Sequence, residues 1–141
     1  MASLEYNLES LLLTILGASA DLLNFQLVHK DDDDDAGNNR IVVSSQPRTV
    51  EIPGLNAGQA RVWRVPVEVS VYFVIGTAVQ VMDGVVLAIE AAVNASQPPA
   101  AALADWQTLQ TITLENDSAG STDADSNTRT RARAFYFLVA A

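Results

Sequence analysis

Apolar residues near the start of the chain return every third or fourth position. Leu4, Leu8, Leu11, Leu12, Ile15 and Leu16 make one stripe of a helix predicted from about Ser3 to Ala20. Ser3 is placed to cap it, and Glu5 and Glu9 stand toward the end where a helix favours negative charge. Gly17 weakens the last turns. The period then shortens. Phe25–His29 reads as a short strand, and Ile41-Val42-Val43 opens a β-rich run past Pro47 to Ile52. Between them Asp31–Asn39 is a loop, because adjacent carboxylates repel and Gly37-Asn38-Asn39 is turn chemistry. Pro53–Gly58 is a second turn.

Arg61–Ile75 holds the longest strict alternation. Trp63, Val65, Val67, Val69, Val71, Phe73 and Ile75 fall on one face of a strand, and Arg64, Pro66, Glu68, Ser70 and Tyr72 on the other. Pro66 donates no ladder hydrogen bond, which predicts a sheet edge or a bulge there. At Gly76-Thr77 the period becomes helical, with Thr77 and Gln80 spaced as a capping box. Val79, Met82, Val85, Val86, Ile89 and Val93 form the stripe of a second helix, which its valines disfavour and packing must hold. Pro98-Pro99 ends that region. Trp106–Glu115 is a predicted strand and Asn116–Thr128, with no large apolar residue, a predicted exposed loop. Thr128–Ala140 alternates Arg129, Arg131, Arg133, Phe135, Phe137 and Val139 against Ala132, Ala134, Tyr136 and Leu138.

These elements predict an α+β domain in α-β-β-α-β-β order. It has an antiparallel sheet of about four to five strands with two helices packed on one face, which leaves the other face uncovered. The 141 residues suit a single domain, with loops near 31–39 and 116–128.

Composition narrows the chemistry. The chain has no cysteine, which removes disulfides, thiolate metal sites and cysteine nucleophiles and fits an intracellular or virion protein. Its formal net charge of -9 opposes general binding to nucleic acid or anionic membrane. No segment reaches the about 20 apolar residues needed to span a bilayer. Met1-Ala2-Ser3-Leu4-Glu5 lacks the positive start of a signal peptide, and the chain reads as soluble and untargeted.

Few groups point to catalysis. Asp31, Asp32, Asp33, Asp34 and Asp35 are adjacent, whereas a calcium loop spaces its ligands. A solvated acidic loop is the better reading, and one lining a channel would keep DNA from sticking to its wall. His29 is the single histidine, so a triad would need a nucleophile and an acid arranged around it. Arg129, Arg131 and Arg133 form a guanidinium ladder that could meet phosphate or carboxylate partners, and in an acidic chain acids on a neighbouring subunit or nearby Glu68 or Glu115 are favoured over DNA. Trp63, Tyr72 and Trp106 are aromatics of the interface type. Asn94-Ala95-Ser96 matches a glycosylation acceptor by chance. No phosphate loop, paired CxxC or HExxH occurs, and no cofactor or metal is expected.

The layout resembles the tail terminator (tail completion) proteins of long-tailed bacteriophages. The corresponding stretches are Leu4–Leu16, Ile41–Ile52, Arg61–Ile75, Thr77–Val93, Trp106–Leu114 and Arg129–Val139. The likeness is one of element order and texture over most of the chain. The Asp run and the 116–128 stretch have no counterpart in it. The resemblance implies a virion protein assembled in the host cytoplasm as a homo-oligomeric ring, commonly a hexamer. Such a ring caps the tail tube, joins it to the head connector and leaves a passage for DNA. Arg64, Glu68 and Tyr72, with the arginine ladder, are then the expected subunit contacts. Other neck, tail or baseplate structural proteins share a similar small α+β architecture and are an alternative, and two other classes compete. A carboxylate hydrolase would need a fixed pair among Glu68, Asp83 and Glu90. A peptide-binding module would add a strand at a free edge.

Overall fold

The computed structural model describes residues 3–30, 39–52, 62–74, 76–95, 102–104, 107–123 and 128–140. Helix α1, Leu4–Gly17, starts where Ser3 Oγ accepts the Tyr6 backbone N–H at 3.1 Å. Leu4, Leu8, Leu12 and Leu16, one per turn, are buried. A 3-10 turn at Ala20–Leu22 leads into strand β1, Gln26–His29. Removing the cap by Ser3→Ala is expected to cost about 1 kcal/mol. Faster hydrogen exchange of the Tyr6 amide would report the lost bond, and an unchanged rate would show the cap to be idle.

Strands β2 (Arg40–Ser45), β3 (Thr49–Ile52) and β4 (Val62–Val74) follow, then helix α2 (Val79–Ala95). Strands β5 (Ala102–Ala104), β6 (Gln107–Asp123) and β7 (Thr128–Ala140) complete one sheet in the order β1-β2-β4-β7-β6-β5, with β3 also beside β4. Seven strands thus replace the four to five expected. The pairing is antiparallel except between β1 and β2, which run parallel with Gln26 opposite Arg40.

One core lies between the sheet and both helices. Val65, Val67, Val69, Val71 and Phe73 of β4 meet Ile41 and Val43 of β2 and Phe135, Phe137 and Val139 of β7, all buried. Met82, Val85, Ile89 and Val93 of α2 close it from above. The alternation in β4 therefore assigns the faces as its sequence implies.

Three local expectations are corrected. Strand β4 is central rather than an edge, paired with β7 along its whole length. Pro66 is tolerated because β2 stops at Ser45 and β3 starts at Thr49. At this break the Gln46 N–H donates to the Pro66 carbonyl at 2.8 Å, and no donor is required of the proline. Helix α2 begins at Val79, one residue later than a cap at Thr77 implies. Thr77 Oγ1 donates to the Val74 carbonyl at 2.6 Å, and the Ala78 carbonyl accepts the first helical bonds, from Val81 and Met82. Gly76, with φ of 96°, makes the turn that sets this up. Finally, most of the predicted 116–128 loop is strand. Strand β7 supplies a partner opposite Asn116, Asp117, Ser118, Ser121, Thr122 and Asp123, and main-chain pairing needs no apolar side chain. The Asp31–Asp35 run, Ile75 and Trp106 lie outside the described residues.

Candidate interaction surface

The face of the sheet away from the helices is built by the alternate residues of three strands. On β4 these are Arg64, Pro66, Glu68, Ser70 and Tyr72, so the three contact residues chosen from the long strand share one surface. The register sets Arg40, Val42 and Ser44 of β2 beside Tyr72, Ser70 and Glu68. On the other flank Ala132, Ala134, Tyr136 and Leu138 of β7 stand beside Ser70, Glu68, Pro66 and Arg64.

The result is a floor of small side chains between two aromatic walls. Ser44, Ser70, Ala132 and Ala134 form the floor. At one end the Arg40 guanidinium lies 4.0 Å over the Tyr72 ring, and at the other Arg64 lies 3.8 Å over Tyr136. Such stacks contribute about 0.5–1 kcal/mol each at exposed sites and more where water is excluded. Arg40 is buried, whereas Arg64 is half-buried and stays accessible. The stack holds the Arg64 guanidinium flat against the Tyr136 ring. Glu68 stands between the two walls and accepts the Ser70 hydroxyl at 3.0 Å. Beside it is a hollow of about 260 Å³, lined by Lys30, Ser44, Gln46, Glu68 and Tyr72 among others.

Arg131 and Arg133 of β7 are on the opposite face. Arg133 Nε donates to Glu90 Oε1 of α2 at 2.7 Å, and Arg131 lies 4.0 Å from Asp83 of the same helix. Arg129 takes the register position between Phe73 and Thr122. Glu68, one of the expected acids, is not their partner, because Arg131 and Arg133 face the helix layer and Glu68 faces away from it, while the Glu115 side chain lies outside the described ones. Arg131 and Arg133 are therefore separated by the sheet from Arg64, Glu68 and Tyr72, with which they were expected to act. Arg40 and Tyr136 join Arg64, Glu68 and Tyr72 instead. The β7 alternation already carried Tyr136, but only the long-range register brings it and Arg40 to the same surface.

His29 does have a hydroxyl and an acid around it. Ser10 Oγ lies 3.3 Å from Nε2, Glu9 Oε1 lies 3.8 Å from Nδ1, and the Tyr6 ring stacks on the imidazole at 4.5 Å. The order of groups is that of a triad, but the setting is not. Ser10 is inside α1, whose backbone N–H groups are engaged along the helix and cannot form an oxyanion hole beside it. Glu9 is also drawn aside, since its Oε2 accepts the Ser45 hydroxyl at 3.0 Å. The cluster ties α1 to β1 and β2. Among the described residues no group of three or more metal-ligating side chains occurs, and no helix is long and apolar enough to cross a membrane.

No protein-family model matches the sequence, and no curated protein matches it. Among solved structures, the chain is similar to one from the "Virion of native gene transfer agent (GTA) particle". The superposition covers 99% of this chain and 100% of that chain, with a TM-score of 0.62 and 14% sequence identity. At that identity the likeness is one of fold, and it extends over the full length of both chains.

Proposed function

We propose that this chain is a structural protein of a tailed, phage-like virion, acting as a ring subunit of the tail terminator type. The observation that carries the reading is the full-length likeness in fold to a chain of a gene transfer agent virion. The element order read from the sequence supports it independently. So does a sheet face that offers aromatic walls, fixed guanidinium groups and a small-residue floor to a large partner. In this reading the ring, a hexamer, caps the tail tube, meets the head connector and passes DNA through its centre. Arg64, Glu68 and Tyr72 contribute to the contact between subunits, and no reaction is catalysed.

Native mass spectrometry of the purified protein, with electron microscopy in the presence of tail tubes, tests this. A closed ring of six copies seated on tube ends is the expected result. A chain that stays monomeric at high concentration and with tubes present would exclude the proposal.

A further inference from the structure

The two helices cover the same sheet, but their outer surfaces differ. The outward positions of α1 include Glu5, Tyr6, Asn7 and Thr14, the polar surface of an ordinary amphipathic helix. On α2 the exposed positions between Gln80 and Asn94 are Val81, Asp83, Gly84, Leu87 and Ala91. Val81 is 54% exposed and Leu87 61%. Asp83 is the one charged residue among them, and it lies on the flank toward Arg131. Glu90, the other acid of α2, is turned to Arg133. A helix apolar on its outer as well as its inner side belongs in an interior rather than against water.

We propose that the outer face of α2 packs across the open sheet face of the next copy of this chain. The inference rests on the ring reading and supplies the second half of its subunit contact. Several observations select this occupant. The chain carries a net charge of -9, so copies repel one another wherever acids meet, and close self-association needs a surface like that of α2. The open sheet face is its complement in shape. Leu87 and Val81 project from α2, while Ser44, Ser70, Ala132 and Ala134 leave a shallow floor between the Tyr72 and Tyr136 walls. At its rim it is also the complement in charge, while the acid Glu68 stands exposed between the walls. Asp83, whose side chain is 61% exposed, edges the α2 surface, and Lys30 and Arg64 edge the open face.

Topology gives the contact a direction. The α2 surface and the open face are on opposite sides of one two-layer domain, so joining them is head to tail. Such a contact closes into a ring where the rotation per copy adds up to a full turn and runs on as a filament where it does not, and the ring reading requires the first. The helix layer of one subunit then lies between two sheets, and every layer gains a neighbour.

The absence of cysteine from the chain provides a clean test. Leu87→Cys combined with Ala134→Cys is expected to give, on mild oxidation, a ladder of disulfide-linked oligomers ending at the ring size. Neither single variant should cross-link. Leu87→Lys should weaken assembly by roughly thirtyfold or more, as for a central interface residue. Thr14→Lys, on the outer face of α1, should leave assembly unchanged. Because Leu87 is exposed, the lysine variant should retain the circular dichroism of the parent monomer. If Leu87→Cys alone gives a disulfide dimer, α2 meets α2 and the proposal is wrong. Rings that persist with Leu87→Lys and give no double-cysteine ladder overturn it while leaving the ring reading intact. A parent chain that never assembles removes both.

Discussion

Phe137→Ala is expected to lower folding stability by about 3–5 kcal/mol, the cost of deleting a fully buried aromatic ring and leaving part of its volume empty. The ring is 0% exposed. It belongs to the middle of the sheet, with Val65 of β4 opposite on one side and Ile112 of β6 on the other, both buried. Sheet neighbours are fixed by the main-chain ladder, so they cannot close in on the space as a loop would. A domain's net stability is about 5–15 kcal/mol, and the loss is a large share of it. Urea titration at one fixed protein concentration should show a lower midpoint with an unchanged slope. A loss below about 1 kcal/mol would show that the ring is not packed as described.

The second large effect is expected at the Arg133–Glu90 pair. Glu90→Gln should cost about 1–2 kcal/mol, because it leaves the Arg133 charge beneath α2 without its anion. That is less than for a fully buried pair, since 24% of the Glu90 side chain and 14% of the Arg133 side chain are still exposed. Replacing both partners, with Glu90→Leu and Arg133→Met, should cost less than the sum of the single changes, as neither charge is then stranded. A double-mutant cycle by urea titration measures the difference. Additive single changes would mean that the 2.7 Å contact contributes no coupling.

The periodicities made both helices, the long strand and its buried face legible. Leu4, Leu8, Leu12 and Leu16 and the odd-numbered residues of β4 each report their own surroundings through spacing alone. Less visible was anything decided by a partner far away in the chain. Strand β6 runs on through Asp117-Ser118-Ala119-Gly120, a stretch with turn-like composition, because β7 holds its main chain on either side of the irregularity between Ser118 and Ser121. Pro66 signalled an edge, but the break between β2 and β3 satisfies the same requirement in the middle of the sheet. The candidate surface shows the same limit. Arg64, Glu68 and Tyr72 could be placed together by parity on one strand. The guanidinium ladder of β7 could be seen as a ladder, yet which way it faced depended on where α2 carried Asp83 and Glu90.

The pairing of β4 with β7 runs from Val62 opposite Ala140 to Val74 opposite Thr128 without one shift of register, whereas the pairing of β6 with β7 shifts three times. For mechanics the two ladders are unlike. A pull along the strands would load every rung between β4 and β7 at once, and the ribbon would behave as a stiff beam. The interrupted ladder beyond it can bend at its irregular points. A domain built this way has a rigid spine and a compliant rim, so strain along the sheet would be taken up at β6 before it reached β4.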